Sequence, residues 1–329
     1  MEWLYSLFAS GVPVGALVFG WSLALIVSLF VLIRGADMFV VGAKQMGSSL
    51  GMSKFAIGVI IVGFGTSFPE LAASIAAVVD GATEIVLANA VGSNITNILL
   101  VVGLAATLGG RIIIKRDLIK TELPIFFIAT THFLAVIFDG KIDRIEALLL
   151  LGTFCAYLWY LFVEAREVDD ITLTTDGRRP RLDAKSVVFI VFGLVAVLIG
   201  AKFTVDMVVN IASILAVPVG LISITAIALG TSLPELFVSL QAVKKGEGEL
   251  AIGNIFGSNA FNILLVVGIP GVMMPLVAGD VVMQLGVPIL LAASAIFFVN
   301  GLAKQVMRWE GMMLLLFFAF FLIKLTAFI

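Results

Sequence analysis

The chain has 329 residues, of which 61% are hydrophobic and only 13% are charged, and its mean hydropathy is +1.19. Soluble proteins carry about 25% charged residues because polar groups must cover their surface, so this composition excludes a soluble globular protein and predicts an integral membrane protein. The net charge of −2, without a basic tail, argues against a nucleic-acid partner, and the single histidine and single cysteine leave little for a metal or catalytic centre built on those residues.

Apolar stretches of about 20 residues, the length that a helix needs to cross a bilayer, occur ten times along the chain. These predicted spans are 15–36, 55–79, 84–108, 121–138, 145–163, 186–210, 217–243, 249–274, 281–301 and 309–327. One polar stretch, 164–185, separates two groups of five spans, within 1–163 and 186–329. The sequence therefore predicts an all-α membrane fold of ten transmembrane helices with a linker between its halves.

Basic residues are distributed unequally between the two sets of alternate loops. The loops on the side of the 164–185 linker carry 15 Lys and Arg residues, and the opposite loops carry 3. Because Lys and Arg stay on the cytoplasmic side, we predict a cytoplasmic linker and both termini outside. The expected location is a plasma or inner cell membrane.

The two halves contain the same motif, repeated without a gap at an offset of 165 residues. The segment Gly65–Leu71, GTSFPEL, recurs as GTSLPEL at Gly230–Leu236, and 65–103 matches 230–268 at 22 of 39 positions. Because each half has five spans, an odd number, the second half enters the membrane from the opposite side. Such inverted repeats are typical of secondary transporters, whose binding sites lie between the repeats near the midplane.

Glu70 and Glu235 are equivalent acidic residues near the middle of predicted spans. A charge there costs roughly 2.5–3.5 kcal/mol to insert, and no Lys or Arg recurs beside either of them, so a bound cation is the simplest partner. Pro69 and Pro234 lack an N–H and interrupt each helix four residues after a glycine carbonyl. The sequence therefore predicts two broken helices that offer oxygen ligands at membrane depth.

Each repeat has one of the two carboxylates, together with further residues that offer oxygen ligands. They are Thr66, Ser67, Ser93 and Asn97 in the first repeat, and Thr231, Ser232, Ser258 and Asn262 in the second. Hard oxygen ligands suit Ca²⁺ and Na⁺, whereas zinc or copper would prefer Cys or His. Contacts between helices are the competing interpretation for the Ser and Asn residues, and we favour it for Asn94 and Asn259.

At these residues the sequence resembles the cation/calcium antiporter superfamily, and within it the prokaryotic type of sodium/calcium exchanger. The resemblance lies in the doubled GTS-Phe/Leu-PE motif and the GSN segment that follows each copy, and it extends over nearly the whole chain. It implies that several Na⁺ ions are exchanged for one Ca²⁺, with no cofactor, by a secondary active antiporter that works by alternating access. It also implies that the first and sixth spans slide past the rest of the protein.

The resemblance also implies a role for each residue of the repeated motifs. Calcium would bind Glu70 and Glu235 with the carbonyls of Thr66 and Thr231, and the asparagines Asn97 and Asn262 would lie at the centre. The implied sodium ligands are Ser67, Ser232, Ser93, Ser258, Thr66, Thr231 and the carbonyls of Gly63 and Ala228. Many exchangers carry Asp where this chain has Asn262.

Other functions remain open from the sequence. A proton/calcium antiporter, or one for another divalent cation, is the nearest alternative, although Val91 and Phe256 stand where that branch carries a further Glu. A passive cation channel would not need the inverted repeats. An intramembrane serine protease would need a base beside Ser67 or Ser232, so we expect no enzymatic activity. The sequence leaves the oligomeric state open.

Overall fold

The computed structural model describes residues 13–119, 122–164, 183–214 and 230–327. The helices are α1 Val14–Ser49, α2 Lys54–Val79, α3 Thr83–Gly109, α4 Glu122–Val136, α5 Arg144–Glu164, α6 Ala184–Ile214, α7 Leu233–Lys244, α8 Gly248–Met273, α9 Val282–Leu302 and α10 Arg308–Thr326. Among the described residues, nine helices are long and apolar enough to cross a membrane. The predicted span 217–243 is described only from residue 230, so the predicted count of ten is not confirmed.

The first and sixth helices are longer than predicted. Helix α1 has 36 residues and α6 has 31, which corresponds to about 54 and 46 Å at 1.5 Å per residue, whereas the apolar core of a bilayer is about 30 Å thick. The predicted span 15–36 is therefore too short, and α1 continues for 13 residues to Ser49. Hydropathy detects where a helix leaves the lipid, not where its backbone hydrogen bonding ends.

Both repeats are interrupted at the same places. Helix α2 breaks at Ser67, and the chain reaches α7 through Ser232, with φ and ψ of −86° and 3° at the first serine and −88° and 2° at the second. In α3 and α8 the hydrogen bonding widens to π-helical over Asn97–Val101 and Asn262–Val266. The breaks were predicted from the prolines, whereas the π-helical segments have no comparable signal in the sequence.

Short antiparallel strands connect the two repeats, a feature that the all-α prediction missed. Strand β1 (Ile112–Ile113) pairs with β4 (Gln305–Val306), and β2 (Lys141–Ile142) pairs with β3 (Leu276–Val277). The residue pairs Ile112–Val306 and Val277–Lys141 are equivalent under the 165-residue offset. The same pairing therefore occurs once for each repeat, as a two-fold relation between inverted halves requires.

The α1–α6 contact obeys the same two-fold relation. A Cβ atom added to Gly35 would lie 2.7 Å from the backbone N of Val197, and one added to Gly200 would lie 2.7 Å from the backbone N of Leu32. These two contacts are repeat equivalents, and only glycine permits such close packing. By contrast, α3 and α8 lie at the centre of the bundle, where 78% and 83% of their most apolar windows are buried, against 17% for α1.

Candidate ion-binding site

The carboxyl groups of Glu70 and Glu235 are both buried at the boundary between the repeats, with 0% exposure. Ser67 Oγ donates a hydrogen bond to Glu235 Oε1 at 3.3 Å, so the break in the first repeat lies against the acidic residue of the second. Both oxygens of Glu70 and Oε2 of Glu235 have no hydrogen-bond partner among the described residues. Buried carboxylate oxygens without partners are costly, so this arrangement calls for a cation.

At the helix breaks, hydroxyl groups of one repeat lie close to hydroxyl groups of the other repeat. Thr66 Oγ1 lies 3.4 Å from Ser258 Oγ, and the equivalent pair, Thr231 Oγ1 and Ser93 Oγ, lies 3.2 Å apart. Ser258 also donates to the carbonyl of Gly63 at 3.4 Å. Each cluster thus combines a hydroxyl from a broken helix with a hydroxyl from the central helix of the opposite repeat.

Two further asparagines hold the backbone of the acidic residues. Asn89 Nδ2 donates to the carbonyl of Glu70 at 3.2 Å and to Ser74 Oγ at 3.1 Å. The second repeat has the same arrangement, with distances of 3.5 and 2.9 Å, at Asn254, Glu235 and Ser239. Ser74 and Ser239 were missed in the sequence analysis, although they are identical under the offset of 165. That identity was the available signal.

The four asparagines in the middle of α3 and α8 form two repeat-related pairs with different environments. Asn94 Nδ2 donates to the carbonyl of Asn259 at 3.1 Å, and because these residues are repeat equivalents, the pseudo-two-fold axis passes between them. This contact agrees with the predicted role of Asn94 and Asn259 in helix packing. Asn97 and Asn262 are also fully buried, but the amide N and O atoms of both have no partner among the described residues. Their free amide oxygens remain available to an ion or a water molecule.

The structure describes eleven of the twelve residues that the sequence indicated as ligands. Ala228 lies outside the described residues. Thr231 is partly buried, while the other ten are buried, namely Gly63, Thr66, Ser67, Glu70, Ser93, Asn97, Ser232, Glu235, Ser258 and Asn262. The single histidine lies apart from this set, because His132 Nδ1 is 2.9 Å from Thr153 Oγ1, which joins α4 to α5.

The donor set is chemically uniform, since it contains only carboxylate, hydroxyl, amide and carbonyl oxygens. These are the ligands of Ca²⁺, which takes six to eight oxygens in an adaptable geometry. No salt bridge among the described residues includes Glu70 or Glu235. Two carboxylates without a basic partner match the charge of one divalent cation, and the surrounding neutral oxygens also suit monovalent ions.

The comparisons with known proteins agree on one family. The family profile described as "Sodium/calcium exchanger protein" matches residues 21–163 and 185–327. Sodium/calcium exchanger MaX1 of Methanosarcina acetivorans is 33% identical over 92% of this chain and 97% of its own, and putative antiporter CaxA of Alkalimonas amylolytica is 37% identical over 89% and 94%. A solved structure of the sodium-calcium exchanger NCX_Mj, soaked with Na⁺ and Sr²⁺, has a TM-score of 0.78 at 30% identity and covers 92% of this chain and 98% of that one.

Proposed function

Because the chain belongs to the sodium/calcium exchanger family, we propose that its two repeats bind the transported ions at one shared site centred on Glu70 and Glu235. The protein is a multi-pass membrane antiporter that exchanges Na⁺ for Ca²⁺. The observation that carries the site is the pair of fully buried carboxylates, of which three oxygens have no hydrogen-bond partner and neither group forms a salt bridge within the described part of the chain. The ions are the cargo, and no cofactor is part of this proposal.

Calcium binds both carboxylates at once. Their two negative charges neutralise one divalent ion in a buried region where water is not available to solvate it. The carbonyls of Thr66 and Thr231 complete its shell. Sodium ions bind the carbonyls of Gly63 and Ala228 and a set of hydroxyls, while the amide oxygens of Asn97 and Asn262 lie at the centre. The hydroxyls are those of Thr66, Ser67, Ser93, Thr231, Ser232 and Ser258. Exchange follows because both kinds of ion bind within the same cluster of ligands, where the two negative charges of Glu70 and Glu235 limit how much positive charge can be held at once.

Alternating access follows from the inverted symmetry of the repeats. Two halves with the same fold and opposite orientation have two arrangements of similar energy, one open to each side of the membrane. Hydroxyl pairs such as Thr66–Ser258 and Ser93–Thr231 contain one residue from each half. A bound ion therefore contacts both repeats at once, and its presence favours closure of both access paths around it.

The connections between helices support the predicted topology. Lys44 of α1 and Lys54 of α2 both form ion pairs with Glu247, between α7 and α8, and β1 and β4 join the α3–α4 and α9–α10 connections. Strands β2 and β3 join the α4–α5 and α8–α9 connections. We assign the first group to the cytoplasm with the linker 164–185, and both termini to the outside of a plasma or inner membrane.

The competing functions receive less support. The comparisons do not favour the proton/calcium alternative, since the family description, MaX1 and NCX_Mj all name sodium. A serine protease would need a general base such as histidine near Ser67 or Ser232, but the single histidine, His132, pairs with Thr153. We therefore propose that the protein transports ions without covalent chemistry.

The test is ⁴⁵Ca²⁺ uptake into proteoliposomes under separate Na⁺, K⁺ and H⁺ gradients at controlled membrane potential. Uptake driven by an outward Na⁺ gradient, and absent when K⁺ replaces Na⁺, is the expected result. Uptake driven by a pH gradient without sodium would contradict sodium coupling. Equal calcium flux without any counter-ion would identify a channel and overturn exchange.

A further inference from the structure

An ion pair fastens α1 to the second repeat at one end of the bundle. Lys245 Nζ lies 2.7 Å from Asp37 Oδ1, and the two side chains are 34% and 42% exposed. Lys245 caps the C-terminus of α7, so the pair joins α1 to the helix that carries Glu235. Lys44, two turns further along α1, forms an ion pair with Glu247 on the same connection.

The repeat equivalents of this ion pair carry the opposite charges. The offset of 165 residues relates Asp37 to Lys202 in α6 and relates Lys245 to Asp80. Asp80 caps the C-terminus of α2 with φ and ψ of −82° and 0°, and Lys245 caps α7 with −86° and 4°. The two repeats therefore have different residues at these positions but the same complementarity, an acidic group facing a basic one.

The second pair is not formed in this conformation. Among the described residues no ion pair includes Lys202 or Asp80, and both side chains are exposed. The helix packing has the same asymmetry, since α1 packs along α7 but, where the structure describes the chain, no comparable packing joins α6 to Phe68–Val79. The α1–α6 pair therefore packs more closely on α7 at one end of the bundle than on Phe68–Val79 at the opposite end.

Resting on the exchange function proposed above, we propose that Asp37–Lys245 and Lys202–Asp80 are alternative latches, one for each access state. When the protein opens to the other side of the membrane, α1 takes the environment that α6 has in this conformation, and α6 takes that of α1. Asp37 then separates from Lys245, and Lys202 approaches Asp80. The contact between α1 and α6 is itself symmetric at Gly35 and Gly200, so the two helices can move as one unit without losing it.

The proposal is tested by measuring distances between pairs of spin labels with pulsed electron–electron double resonance, on labelled protein in liposomes. The background variant is Cys155→Ser, which removes the one exposed thiol. Labels at Val79 and Phe203 report on the second latch without replacing its residues, and labels at the equivalent positions, Lys244 and Met38, report on the first latch. We expect each pair of labels to show a short and a long distance, in opposite proportions between the two pairs.

Single charge removals should shift these proportions in opposite directions. Asp37→Asn weakens the first latch and should increase the short Val79–Phe203 population about 1.4- to 5-fold relative to the long one, the range for partly exposed ion pairs. Lys202→Gln should decrease it to a similar extent. The double reversal Asp37→Lys with Lys245→Asp should restore the original proportions. Asp206→Asn, which removes an exposed charge one turn away on α6, is the matched control.

Specific results would overturn the latch proposal. One is a Val79–Phe203 distance that stays long in saturating Na⁺, in saturating Ca²⁺ and without either ion. Another is a response to Lys202→Gln or Asp80→Asn no larger than that to Asp206→Asn. Sodium-driven calcium uptake is measured on the same labelled proteins. Normal uptake with unresponsive distances would reject the latches alone, whereas absent uptake in the unsubstituted chain would reject the exchange function.

Discussion

Ser67 Oγ of the first repeat lies 3.3 Å from Glu235 Oε1 of the second, within hydrogen-bond distance. The equivalent motifs of the two halves therefore contribute to one site rather than forming two separate sites. Neither repeat alone contains both carboxylates, so the duplication is a requirement for charge balance around a divalent ion.

Replacing either carboxylate should abolish exchange. We expect Glu70→Gln and Glu235→Gln each to weaken calcium binding by about 100-fold or more, since removing one member of a buried charge-paired set costs about 3–5 kcal/mol. Sodium-driven ⁴⁵Ca²⁺ uptake in proteoliposomes measures the loss. Glu84→Gln, an exposed carboxylate in the first turn of α3, is the control and should transport normally. Unchanged flux in both site variants would contradict the proposed site.

The equivalent threonines should matter equally for sodium. Thr66→Val and Thr231→Val keep the side-chain shape but remove hydroxyls that lie 3.4 and 3.2 Å from Ser258 and Ser93. Losing a buried hydrogen-bonding partner costs about 1–3 kcal/mol, so the Na⁺ concentration for half-maximal exchange should rise in both variants. Thr→Ser at each position retains the hydroxyl and should restore the affinity. Wild-type sodium dependence in the valine variants would exclude a hydroxyl role.

Asn254 should stabilise the protein by holding the α7 backbone. Asn254→Ala removes the donor to the Glu235 carbonyl and to Ser239 Oγ and should lower the free energy of unfolding by about 1–3 kcal/mol. Thermal unfolding followed by tryptophan fluorescence in detergent would show this as a lower Tm. Asn89→Ala should have a similar effect, because Asn89 makes the equivalent bonds. A Tm equal to that of Asn210→Ala, a partly buried residue of α6, would argue against this role.

Close packing of α2 on α8 should be sensitive to one methyl group. A Cβ atom at Gly257 would lie 2.6 Å from the carbonyl oxygen of Val59, so Gly257→Ala must displace backbone next to Ser258. We expect slower exchange and a lower Tm. At Gly152 in α5 an added Cβ meets nothing within 4 Å among the described residues, and Gly152→Ala should leave both properties unchanged or raise the Tm. Equal behaviour of the two variants would show that the α2–α8 distance is not critical.

The Glu247 ion pairs should make stability depend on pH. Burial opposes ionisation of this carboxyl, but hydrogen bonds and charge interactions with Lys44 and Lys54 outweigh it and lower its pKa below the ordinary value of 4.5. A lowered carboxyl pKa gives stabilisation that is complete above the unfolded-state pKa and is lost as the pH falls through the folded-state pKa.

The Tm of Glu247→Gln should therefore fall below that of the unsubstituted protein at pH 7. The difference should shrink as the pH is lowered from about 5 through the lowered pKa of Glu247. Glu84→Gln provides the baseline for removing an exposed carboxylate. A Tm difference that is constant across this range, or that grows toward acid, would contradict the assigned ion pairs.

Much of the fold and of the candidate site was predictable from duplication in the sequence. The motif around Glu70 and Glu235 identified the buried carboxylates, and Pro69 and Pro234 identified the helix breaks. These signals are strong because a charge or a proline in a membrane span must be compensated. Duplication then distinguishes residues retained in both halves from apolar residues that match by composition.

Other features depend on three-dimensional packing and had weaker signals. The ends of α1 and α6 were misjudged because a helix that leaves the lipid continues without an apolar pattern. The four two-residue strands are too short for any periodicity. The hydrogen bond from Asn89 to Ser74 joins different helices, so spacing along one helix cannot predict it.

The strand pairs β1–β4 and β2–β3 staple the first half to the second through backbone hydrogen bonds at both faces of the bundle. Two bodies joined at both ends in this way cannot rock apart like the jaws of a clamp, and the described helices that flank none of these strands are α1, α2, α6 and α7. The outline that the six strand-linked helices present to the surrounding lipid should therefore stay nearly constant through a transport cycle. Any dependence of the turnover rate on the stiffness and lateral pressure of the bilayer should accordingly come from the other helices, above all from α1, of which only 17% of the most apolar window is buried.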